Sequence, residues 1–200
     1  LYFYMLFTYP TKVLLLNLLF VLFSLPVVTM PAALTALSRV MMLYMRDGYA
    51  HVWQDYVKEF KGTFWKSLLA GLLYAAVMAL LYFSAKLYPV IFSDEIMSGF
   101  SFSLAVALML VFSAMMGYVF PMIAMVDLKL NKILKNAAIL LYTCLLNSLV
   151  LAMLAGGFAY LAFYLFPQSL PVTLTILVVL FQLAVCVNIK VPFEKYVYQE

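Results

Sequence analysis

The sequence predicts an all-α fold, a polytopic bundle of membrane helices forming one integral membrane domain over residues 1–200, and three observations carry that prediction. The first is composition: 68% of the 200 residues are hydrophobic and only 10% are charged, whereas a soluble domain carries roughly a quarter charged residues. The second is spacing. No Lys, Arg, Asp or Glu occurs within residues 67–85, 96–126 or 136–189, and apolar runs of about 18 residues or more are read as membrane-crossing helices. The third is where the basic residues fall. They flank the runs as juxtamembrane clusters, so the net charge of +4 points to lipid rather than to nucleic acid.

Taken in order, residues 1–10, LYFYMLFTYP, are aromatic-rich and suit the headgroup level, where aromatic side chains gather. Lys12 then opens a short apolar helix over residues 13–25, about 20 Å long at 1.5 Å per residue. Pro26 and Pro31 remove two amide donors and disfavour helix in the residues before them. A second short helix follows over 32–45. Residues 1–45 are therefore a broken helix pair, which two readings fit: one kinked span, or a hairpin with its tip at PVVTMP, centred on Pro26, Thr29 and Pro31. The small residues Ala32, Ala33, Thr35, Ala36 and Ser38 favour the hairpin, because irregular backbone at depth needs close protein cover. The hairpin brings the expected helix count to six; a kinked span brings it to five.

Residues 46–66 are the main polar insertion. Tyr49, Val52, Trp53, Tyr56, Val57, Phe60 and Phe64 follow helical spacing, with His51, Asp55, Lys58, Glu59 and Lys61 outside the stripe. Asp47-Gly48 supplies a start and Gly62 a break. This pattern predicts a separate amphipathic helix in the interface. It serves either as a connector along the membrane surface or as a docking surface for a cytoplasmic partner, carried by Trp53, Tyr56, Phe60 and Lys61. Four spans complete the chain, over 67–88, 100–126, 136–166 and 170–188. Gly117 and Pro121 are positioned to bend the second of these, and Gly156-Gly157 to pack or hinge the third. A short similarity between FWKSLLAGLLY and ILKNAAILLYT hints at an internal repeat.

Orientation follows from Lys and Arg alone. Arg39, Arg46, Lys58, Lys61 and Lys66 form one cluster; Lys129, Lys132 and Lys135 form another; Lys190 and Lys195 form the last. All three are expected in the cytoplasm, with the C-terminus inside.

Chemistry is sparse. The single His51 has no second ligand at metal spacing, and no glycine loop, nucleophile elbow or HExxH is present, so no catalytic, metal or cofactor site is expected. Cys144 and Cys186 lie inside apolar runs and read as small buried side chains. The long spans carry no ionisable residue, which argues against a proton-coupled pump. Asn147 and Gln182 are expected to bond between helices, the alternative being that they line a path for a polar ligand. An importer permease would present a cytoplasmic coupling helix with a Glu-Ala-Ala signature, which residues 49–61 lack.

The stretch NLLFVLFSLPVVT, the segment ALSRVMMLYM and the run DYVKEFKGTFWKS resemble the YesL-like family of bacterial integral membrane proteins, a domain family of unknown function. The order of elements fits over essentially the whole chain. Met30-Pro31 stands where relatives usually have Ile-Gly. The resemblance implies a place in the bacterial cell membrane and a role in sugar uptake, since members are commonly encoded beside carbohydrate ABC importers and glycan-degrading enzymes. It thereby implies a non-catalytic accessory subunit with the permeases and ATPase of such an importer as partners, and it supplies no catalytic residue. The competing expectation is a standalone transporter or channel for a small solute or cell-envelope precursor.

Overall fold

A computed structural model describes residues 10–91, 95–164 and 178–196, and among these every regular element is helical. In chain order they are α1 (Pro10–Ser24), a 3-10 turn (Val27–Thr29), α2 (Met30–Asp47), α3 (Val52–Ile91), α4 (Glu95–Met125), α5 (Leu130–Thr143), α6 (Leu145–Tyr164) and α7 (Val178–Tyr196). Among the described residues, three helices are long and apolar enough to cross a bilayer: Val27–Asp47, Val52–Leu87 and Ile96–Met125. The bent pair Leu130–Thr143 and Leu145–Tyr160 would make a fourth span if treated as one, while Thr11–Ser24 and Val178–Phe193 are shorter apolar helices. The chain is a multi-pass membrane helix bundle. Most of the aromatic opening, the PQSLP connection and the first part of the 170–188 span lie outside the described residues.

The N-terminal break falls at Pro26, which caps the 3-10 turn in an extended conformation. Thr29 closes the turn, its hydroxyl shared between Phe23 O at 2.6 Å and Pro26 O at 2.7 Å. Pro31 then sits in the first turn of α2, where its missing amide costs no hydrogen bond. α1 and α2 are separate helices that pack on one another. All the small residues of α2 named above are buried, and that lets α3 approach closely.

Three pairings show that α2 and α3 run antiparallel: Pro31 against Gly71, Thr35 bonded to Ser67, and Arg39 beside Glu59. Gly48, with φ of 77°, ends α2 in the left-handed conformation that glycine adopts most readily. α3 begins after His51, whose backbone N–H donates to Asp55 Oδ2 at 2.8 Å. α4 returns antiparallel to α3, through Lys66–Asp127 and Tyr74–Ser113. α6 runs back along α4, through Tyr118–Ser148 and Leu110 against Gly156. α7 lies along both α6 and α2, through Asn147–Asn188 and Gln182–Ser38.

Three expectations are corrected. There is no separate interfacial helix over 46–66: α2 continues to Asp47, and α3 runs unbroken from Val52 through Gly62 to Ile91. A glycine inside a helix costs only about 1 kcal/mol against alanine, and the burial of Val52 and Tyr56 before it and of Ser67 and Ala70 after it holds the helix on both sides. The 136–166 span is not one helix. It breaks at Cys144 (φ −114°, ψ 56°), where α5 and α6 meet at 105°. Ser148 Oγ reaches Leu141 O at 2.9 Å and Cys144 O at 3.0 Å, covering carbonyls that the break frees. Finally, α7 does not stop at Asn188 but carries Lys190 and Lys195 on to Tyr196.

Candidate functional site

The three basic clusters meet at one end of the bundle. Lys66 Nζ lies 2.7 Å from Asp127 Oδ1, joining α3, at the last charge before its uncharged stretch, to the turn after α4. Arg39 Nη1 donates to Ala124 O at 2.9 Å and to Met125 Sδ at 3.4 Å, with Glu59 at 3.9 Å from its Nε. Lys190 Nζ donates to Met45 O at 3.2 Å, bringing the end of α7 to the end of α2. Asp127 is fully exposed, and the Lys66 ammonium bonded to it holds its carboxyl below the ordinary value of 3.8. The Arg39 and Lys190 bonds place cations on carbonyls at the ends of α4 and α2, where cations are favoured.

Inside the bundle, polar side chains tie helices together. Gln182 Nε2 donates to Ser38 Oγ at 2.7 Å, and Ser38 in turn donates to Leu34 O at 2.8 Å. Ser67 Oγ donates to Thr35 Oγ1 at 2.8 Å, and Tyr56 OH to Ala33 O at 3.2 Å. Asn147 Nδ2 donates to both Asn188 O (2.7 Å) and Asn188 Oδ1 (2.9 Å). The interhelical roles expected of Asn147 and Gln182 are met. Asn17 is the exception: it is buried in α1, and its side-chain oxygen has no partner among the described residues. Its position in a leucine run gave no sign of that.

A cavity of about 480 Å³ opens between α2, α3, α4, α6 and α7. Met30, Met78, Met109 and Met116 contribute to a largely apolar wall, with hydroxyls from Tyr74 and Ser113 bonded to each other at 3.1 Å. Its size is that of a small-ligand pocket, and its walls offer a polar solute little to bond.

The docking residues separate. Trp53 is 56% exposed and Lys61 is also on the outside, but Tyr56 is fully buried and Phe60 is half-buried. Phe23 packs on both, 5.5 Å from the Tyr56 ring and 4.8 Å from the Phe60 ring. Tyr56 and Phe60 therefore hold α1 against α3 and are not part of an outward surface. Pro26 and Thr29 lie in the break between α1 and α2, and Pro31 in the first turn of α2. Cys186 is buried and Cys144 marks the helix break. No group of three or more His, Cys, Asp or Glu gathers among the described residues.

Taken together, the geometry defines an all-α, multi-pass membrane bundle with polar ties inside and its basic residues at one end. Within it, residues 13–85 match the family described as "Protein of unknown function, DUF624", so most of α1, the turn, α2 and nearly all of the apolar part of α3 are similar to that uncharacterised family. The chain matches no curated protein and no solved structure.

Proposed function

We propose that the protein is a non-catalytic accessory membrane subunit of a bacterial carbohydrate ABC importer, with the basic end and the C-terminus in the cytoplasm. The observation that carries this reading is how the polar groups are used. Thr35, Ser38, Ser67, Asn147 and Gln182 all bond across helices, while α3 leaves a long apolar face outside, including Leu69, Leu72, Leu80 and Phe83. Polar groups spent on packing, beside an uncovered apolar helix, suit a protein that packs against other membrane helices. The carbohydrate importer as partner rests on the YesL-like resemblance.

The test is affinity purification of the tagged protein from its native membrane in mild detergent. Stoichiometric recovery of importer permeases and ATPase supports the reading; recovery of the protein alone, with intact importer in the same extract, overturns it. Trp53→Ala with Lys61→Glu then tests the exposed start of α3 as the cytoplasmic contact, by loss of the ATPase from the complex.

A second reading, a standalone carrier for a small solute or envelope precursor, is favoured by the cavity alone. Its apolar wall suits a solute with a hydrocarbon part, and uptake into proteoliposomes by the purified protein is the measurement that separates it from the first.

A further inference from the structure

The bend at Cys144 turns part of an uncharged run into something the sequence does not display. α6 enters the bundle antiparallel to α4, and α5 meets it at 105°, so α5 lies across the basic end instead of crossing with its neighbours. One stripe of α5, Ile133, Ala137 and Leu140, is buried against the bundle. The opposite arc is exposed and carries Lys132, Lys135, Ile139 and Tyr142. Lysines occupy the N-terminal half of that arc, and the apolar residues occupy the half nearest the bend.

This order is continuous with the lipid-facing side of the bundle. Leu145, Leu146 and Leu149 at the start of α6 are all exposed. The apolar surface passes from them round the bend to Tyr142 and Ile139, then ends at the lysines. A helix that lies in the headgroup layer has this arrangement, with apolar and aromatic groups toward the acyl chains and ammonium groups reaching outward to the phosphates. The charge is of one sign. The only acid in residues 126–143 is Asp127, already bonded to Lys66.

We propose that α5 is a membrane-surface helix that binds anionic phospholipid headgroups through Lys132 and Lys135, with Ile139 and Tyr142 set among the upper acyl chains. The proposal does not depend on which solute or partner the protein serves.

The experiment is hydrogen–deuterium exchange on the whole protein in phosphatidylcholine vesicles, with and without phosphatidylglycerol. Each lysine near an anionic surface contributes on the order of a fivefold gain in binding, so exchange across 130–143 slows about tenfold or more when phosphatidylglycerol is present. Lys132→Glu with Lys135→Glu abolishes the slowing, whereas Lys132→Arg with Lys135→Arg keeps it. Unchanged exchange in α3 and α4 shows that the variants are folded. Equal exchange of α5 in both lipids, as expected if its outer arc is kept for a protein partner, overturns the proposal. So does slowing that survives both glutamates.

Discussion

Gly71 of α3 lies against the ring of Pro31 so closely that a Cβ added there would overlap the ring carbons. The contact seats the first turn of α2 on the middle of α3. Gly71→Ala therefore forces the helices apart and lowers stability by about 1–3 kcal/mol, the usual cost of overpacking. Gly62, in the same helix, has nothing near its missing side chain, and Gly62→Ala raises stability by roughly 0.5–1 kcal/mol. Unfolding of the two variants in one detergent checks both signs; a Gly71→Ala protein as stable as its parent would mean that the contact does not constrain the tip.

The bond between Gln182 and Ser38 joins α7 to α2 across 144 residues of sequence. A double-mutant cycle with Ser38→Ala and Gln182→Leu is expected to give a coupling of about 0.6 kcal/mol and no more than ~1.7 kcal/mol, the range of such bonds in membrane bundles. Additive effects of the two changes would show that the pair contributes nothing beyond packing.

Asn17 should be replaceable with gain. Its buried oxygen has no partner among the described residues, and an unsatisfied polar atom costs about 1–3 kcal/mol. Asn17→Leu, which keeps the same number and branching of side-chain heavy atoms, is expected to raise the midpoint of thermal unfolding. A fall would mean that the amide makes a bond that matters to the fold.

Asp127 contributes to the acid response of the basic end. Its folded pKa is held below 3.8 by Lys66. The stabilisation from this pair is therefore fully present above 3.8 and is lost as pH falls through the lower folded value. Lys66→Met should return the Asp127 titration upward, toward 3.8, as followed by carboxyl NMR. An unmoved titration would place the cause elsewhere.

Much of the bundle could be read from residue types, because apolar length and small-residue packing are local signals. The Ala32 to Ser38 segment packs as its composition indicates, and Asn147 and Gln182 bond between helices as polar residues at depth should. The break at Cys144 was hidden because α5 carries no charge after Lys135, so Ala137 and Leu140 merged into the uncharged run of 136–189. Thr143, Asn147 and Ser148, clustered about the break, were the available signal. The stripe of α3 misled in another way. Periodicity shows that Val52, Tyr56 and Phe60 share a side with Trp53 nearby, but not which edge of that side faces inward. That depends on Phe23, which is far away in sequence.

The span between Ser38 and Gln182 also sets a clock. At 5–20 residues per second, roughly 7 to 30 s separate the emergence of the two partners from the ribosome. During that interval α2, α3 and α4 can already assemble with their neighbours in sequence, and Ser38 is occupied by its own helix through Leu34 O. The groove that α7 fills stays open to lipid until α7 itself has been made. Closure of the α2–α7 seam therefore waits on α7, and a chain truncated before α7 would leave its first helices paired and that seam unsealed.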